Sequence, residues 1–132
     1  MPNTLLLNPA YEPITTLART RGTAFHLATR RYSAVLHLHL ADGSTLEIGD
    51  DGVGGAAAQK PSGTTGFTIL RTLPGGHRSP IYDSTMLGPD HANGANPAPL
   101  LAALDRLLPP APTPRPRHKA RQGLLRRLLR LT

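Results

Sequence analysis

From Ala34 to Leu40 the chain reads Ala-Val-Leu-His-Leu-His-Leu, with leucine at 36, 38 and 40 and histidine at 37 and 39. Successive side chains of a strand point to opposite faces, so this run builds one apolar face and one titratable face. Asp42-Gly43 follows, a pair that favours a tight hairpin turn, and Thr45-Leu46-Glu47-Ile48 resumes the alternation. The pattern predicts a β-hairpin with Leu36, Leu38 and Leu40 on its apolar side. His37 and His39 form a candidate metal pair, with Glu47 across the hairpin as a conceivable third ligand. The plainer reading is the solvent-facing side of a half-buried sheet, so neither a metal nor another cofactor is expected.

The remaining segments predict a small α+β body around that hairpin. Thr4-Leu5-Leu6-Leu7 reads as a short N-terminal strand, because Asn8-Pro9 closes the apolar run. Tyr11-Glu12-Pro13 reads as a turn and Ile14 to Leu17 as a second short strand. From Thr20 to Arg31, Ala24, Leu27 and Ala28 fall at helical spacing, which predicts an amphipathic helix. Gly49 to Gly66, rich in Gly, Ala, Ser and Thr, reads as a flexible loop. Gly52 to Ala57 matches a G-x-G-x-x-A spacing, but Lys60-Pro61-Ser62-Gly63 forbids the helix that a dinucleotide fingerprint must open. Residues 67–108 form a loosely defined extension, with a strand over Gly66 to Arg71, an extended piece at Ile81-Tyr82 and a Leu-rich helix between Pro99 and Pro109. Residues 109–132 comprise a Pro-rich spacer and a basic amphipathic helix with a leucine stripe from Leu124 to Leu131. The expected organisation is therefore a module over 1–48, a loop over 49–66, an extension over 67–108 and a tail.

The absence of cysteine removes thiol nucleophiles, disulfides and thiolate metal sites. No apolar run is long enough to span a bilayer, and the opening residues lack the basic region of a signal peptide, which predicts a cytoplasmic protein without integral membrane association. The charge is unevenly distributed. Residues 1–110 are formally neutral, and the whole net charge of +7 belongs to residues 111–132, which hold Arg115, Arg117, Lys119, Arg121, Arg126, Arg127 and Arg130 and no acid. Such a tail suits phosphate contact, and arginine suits it better than lysine.

Leu5-Leu6-Leu7-Asn8-Pro9-Ala10-Tyr11-Glu12-Pro13-Ile14-Thr15-Thr16-Leu17 resembles the opening of a family of bacterial and phage HNH endonucleases. Their LLLN-x-x-YEP run leads into a basic helix and then a strand. The resemblance covers residues 1–36, and Arg78-Ser79-Pro80 is similar to a downstream element of that family. In the family, this module precedes a ββα-metal nuclease domain, in which a histidine activates water and an asparagine orients it, and paired cysteines commonly hold a structural zinc. This chain has no cysteine, and although Asp90-His91 is similar to the opening of an HNH motif, Arg106 stands where the partner asparagine is expected. Asn93 and Asn96 lie too close to serve. The resemblance therefore implies kinship with the non-catalytic module, and no catalytic residue is expected.

The expected function is sequence-nonspecific DNA binding, with phosphate contacts from Arg19, Arg21, Arg30 and Arg31 and from the tail residues Arg115, Arg117, Lys119, Arg121, Arg126, Arg127 and Arg130. The alternative is a small adaptor that binds another protein through the Pro-rich spacer and the leucine-striped tail helix. A divergent HNH nuclease is the third reading.

Overall fold

In a computed structural model, which describes residues 6–31, 33–59 and 63–111, helix α1 (Glu12–Thr20) is followed by strands β1 (Ala24–Thr29), β2 (Ser33–His39), β3 (Thr45–Asp50), β4 (Gly54–Gly55), β5 (Phe67–Thr72) and β6 (Arg78–Asp83), and then by helix α2 (Pro97–Leu107). The predicted hairpin is β2 and β3, in a register that sets Leu36 against Ile48 and Leu38 against Leu46. The sheet continues on both sides in the order β1-β2-β3-β5-β6, every pair antiparallel, while β4 adds a short parallel pairing to β2. The chain is thus α+β, as its patterning predicts.

One face of the sheet is the core. Leu36, Leu38, Leu46, Ile48 and Ile69 are each at most 1% exposed, and Ile14 and Ala18 of α1 and Leu100 and Leu104 of α2 join them in one cluster. Asn96 caps α2 by accepting from the Ala98 amide, so this helix starts ahead of Pro99. Strands β5 and β6 belong to this same sheet, so residues 67–108 complete the body rather than extend it loosely. Among the described residues, no helix is long and apolar enough to cross a membrane.

Three N-terminal expectations are corrected. Leu6 to Asn8 join no strand, and Leu6 is 62% exposed; Thr4 and Leu5 lie outside the described residues. The segment from Tyr11 to Leu17 is not a turn and strand: Tyr11 ends a 3-10 turn over Pro9–Tyr11, and Glu12 to Leu17 are the start of α1. Pro13 sits in the first helical turn, where its missing amide costs nothing, and Ile14, Leu17 and Ala18 share one helical face. The helix expected from Thr20 to Arg31 is the strand β1. Gly22, at φ +69°, ends α1 in the left-handed conformation, after which Phe25 and Leu27 turn to the core and His26 to the other face. The tail helix from residue 112 onward lies outside the described residues.

The N-terminal motif works as a clamp. The Asn8 amide donates to Ala56 O at 2.7 Å and its side chain to Gly55 O at 3.0 Å. Tyr11 is fully buried, edge-on to Phe67, and its hydroxyl donates to Asp50 Oδ2. Burial, and the Asp50 carboxylate beside it, push the Tyr11 phenol far above its ordinary pKa, so it remains a donor. The other Asp50 oxygen accepts from the Gly52 amide and the Thr64 hydroxyl, and Asp51 accepts from the Thr65 amide at 2.7 Å. The segment 49–66, expected as a flexible loop, is thus tied down along its described residues: it begins in β3, contains β4 and is held by two aspartates. Gly66 closes it, because a Cβ there would stand 2.0 Å from Ser84 O.

Two tyrosines test this assignment in opposite directions. Tyr11→Phe removes a buried donor from Asp50 and is expected to cost about 1–3 kcal/mol in urea unfolding. Among the described residues, the Tyr82 hydroxyl is a buried group without a partner, so Tyr82→Phe is expected to leave stability unchanged or raise it by about 1 kcal/mol. Equal losses in the two variants would contradict the hydrogen bonding described.

Candidate functional site

The sheet face opposite the core gathers a cluster of titratable side chains. Antiparallel pairing sets His26 against His37 and His37 against Glu47, making a row across β1, β2 and β3. The neighbouring row runs from Ala24 through His39, Thr45 and Thr72 to Arg78 on β6. Arg30, just beyond β1, reaches over this face and pairs with Glu47. Arg30, His37, Thr45, Glu47, Thr72 and Arg78 line an open hollow of about 440 Å³.

Glu47 is the electrostatic centre of the hollow. Its Oε1 lies 3.3 Å from His37 Nε2 and its Oε2 lies 3.7 Å from Arg78. Partial burial raises its pKa, but the Arg30 hydrogen bond and charge, together with His37, outweigh that and hold it below the ordinary glutamate value. His37 is also shifted downward by its surroundings. Partial burial lowers its pKa most; the Glu47 hydrogen bond and charge oppose this, while Arg30 and His26 add to the lowering, and the net shift is downward. His37 is therefore neutral at pH 7 and loses stabilising effect as pH falls. Because its folded pKa lies below its unfolded one, its contribution is complete above about pH 6.5 and declines as the solution is acidified through the folded value.

His26 and His39 form a second pair. Their rings stack at 4.8 Å between centroids and 10° between planes, with His26 Nδ1 2.7 Å from His39 Nε2. A contact of that length needs one nitrogen to donate and the other to accept. His37 and His39 do share a face with Glu47 across the hairpin, as the alternation predicts, but they do not converge. Their centroids are 6.4 Å apart, His39 is engaged with His26, and among the described residues no group of three or more His, Asp or Glu side chains could hold a metal ion. The face as built is an internally hydrogen-bonded and charge-paired surface, with arginines flanking histidines.

The arginines expected to contact phosphate do not share one surface. Arg19 lies over the Phe25 ring at 5.1 Å. Arg21 pairs with Asp105 and donates to Pro109 O at 3.0 Å, fastening the end of α1 to the end of α2. Arg30 belongs to the histidine face, and Arg31 is exposed in the turn between β1 and β2. The tail residues Arg115, Arg117, Lys119, Arg121, Arg126, Arg127 and Arg130 lie outside the described residues.

Asp90-His91 has a structural role. Asp90 accepts from the Asp83 amide at 2.9 Å, and exposed His91 opens a 3-10 turn with Nδ1 3.2 Å from Gly88 O. Asn93 lies in the same turn and Asn96 is spent on the α2 cap. Two members of the site escaped the sequence reading. His26 lies within the segment expected as a helix, although Phe25-His26-Leu27 alternates and is preceded by Gly22, and Arg78 joins the site only through the β5–β6 pairing. No family model, curated protein or solved structure matches the chain.

A titration followed by imidazole NMR tests the charge arrangement. His37 is expected to titrate below an ordinary histidine, lower still in Glu47→Gln, and higher in Arg30→Gln. A His37 midpoint that rises in Glu47→Gln would contradict the contacts described.

Proposed function

We propose that the protein binds DNA through phosphate contacts, without reading sequence and without cleaving it, as a cytoplasmic protein. The observation that carries this reading is the charge partition. Residues 1–110 are formally neutral, whereas residues 111–132 carry the entire +7. Arg19 and Arg21 are committed to contacts within the body, whereas Arg30 and Arg78 both reach Glu47 but keep 42% and 56% of their side chains exposed, which moves the expected phosphate contacts toward the tail and toward the face these two share. Backbone contact of this kind is salt-dependent and nearly indifferent to sequence. The resemblance of the first 36 residues to the non-catalytic module of HNH endonucleases agrees with it.

Binding of a fluorescent duplex by the full chain, followed against salt, tests the proposal. About three to five phosphate contacts predict a slope of log affinity on log salt of about −3 to −4.5. Replacing all seven basic tail residues by Gln is expected to remove most of that slope. A variant that binds as tightly and as salt-dependently as the parent would overturn the reading. Supercoiled plasmid with Mg²⁺ or Mn²⁺ is expected to stay intact under conditions of full binding.

A further inference from the structure

The sheet has two long edges, and they are built differently. At β6, Pro80 carries no amide hydrogen, and the pairing with β5 is interrupted by an irregularity between Ile69 and Leu70. Proline and irregular pairing are devices that stop an edge from accepting another strand. At β1, the sequence Ala24-Phe25-His26-Leu27-Ala28-Thr29 has no proline and no charged side chain, and it pairs with β2 in unbroken register over all six residues.

The hydrogen-bond phase of β1 follows from its neighbour. The Arg30 amide donates to Ser33 O at 2.7 Å. Alternation in an antiparallel ladder then turns the amides of Ala28, His26 and Ala24 toward β2 and those of Phe25, Leu27 and Thr29 away from it. Among the described residues, no strand lies on that outer side. The side chains are unfinished at the same place. Leu36, Leu38, Leu46 and Ile48 are completely buried on the core face, but Phe25 and Leu27, which point to the same face, are only partly buried.

We infer that β1 pairs with β1 of a second copy of this chain, antiparallel, about a two-fold axis at Leu27. This register uses all three outward residues: Leu27 faces the second copy's Leu27, and Phe25 faces the second copy's Thr29. It also keeps the faces matched, since residues directly opposite in a ladder share a face. The partly buried Phe25 and Leu27 then extend the core across the axis, and the two histidine faces join side by side. A self-complementary edge needs no other molecule, and because the β6 edge is blocked the pairing closes at two copies. A six-residue strand is too short to bury the roughly 1,200 Å² of a standard stable interface, so the dimer is weak and depends on protein concentration. The inference is independent of the DNA-binding reading.

Amide exchange on the full chain, compared between dilute and concentrated solution without DNA, tests the pairing. Exchange at Phe25, Leu27 and Thr29 is expected to slow by about tenfold or more as the dimer fills, while Ala24, His26 and Ala28 stay equally protected at both concentrations. Light scattering over the same range is expected to approach twice the monomer mass. Thr29→Pro removes an outward donor while leaving the β2 ladder intact, and is expected to hold the protein at monomer mass, with exchange at Phe25 and Leu27 as fast in concentrated as in dilute solution. Exchange at Phe25, Leu27 and Thr29 that does not change with concentration would overturn the inference. So would a mass that stays monomeric or grows past the dimer.

Discussion

A one-residue slip between β2 and β3 would carry His37 and His39 into the core and put Leu36 and Leu38 into water. Two desolvated imidazoles and two exposed leucines would together cost several kcal/mol, a large share of the stability of a small domain. The register that pairs Leu36 with Ile48 and Leu38 with Leu46 is therefore strongly specified. The rest of the body is built from it. Strands β1 and β5 extend the hairpin on either side, the two helices cover its apolar face, and its polar face gathers His26, His37, His39, Glu47 and Arg30.

The YEP motif and the arginines illustrate how a feature that invites a functional reading can be absorbed by structure. Tyr11 fixes the entry of Asp50 and so anchors the glycine-rich segment against the N-terminus. Arg21 joins the two helices, and Arg19 lies over an aromatic ring. Under the proposed function, an external phosphate would meet the Arg30–Arg78 side of the sheet and the basic tail. The partly buried His37 beside Glu47 makes the first of these sensitive to acidification, because protonation adds positive charge next to Arg30.

The hairpin, β5 and α2 were legible because each is set by a strong local signal: strict alternation with Asp-Gly, a β-branched and aromatic run, and leucines between prolines. The N-terminal third was not, for a physical reason. Ile14 to Leu17 and Ala24 to Ala28 are short enough to satisfy either a helical or an extended pattern, and the arbiters are Pro13, which favours a helix start, and Gly22, which ends it. Gly22 divides helix from strand, and the extended segment after it is what brings His26 onto the site. The aspartate clamps on the glycine-rich segment join residues far apart in sequence, so composition alone reads that segment as loose.

The central functional claim is that phosphate is met by the tail and by the histidine face, and not by the Arg19 and Arg21 end of α1. Backbone amide spectra of the full chain, recorded while a short DNA duplex is added at low salt, test it most directly. The account predicts the largest shifts within residues 112–132, smaller ones at Arg30, His37 and Arg78, and none at Arg19, Arg21 or the α1–α2 contact. Shifts confined to the ends of α1 and α2, with the tail unmoved, would contradict it.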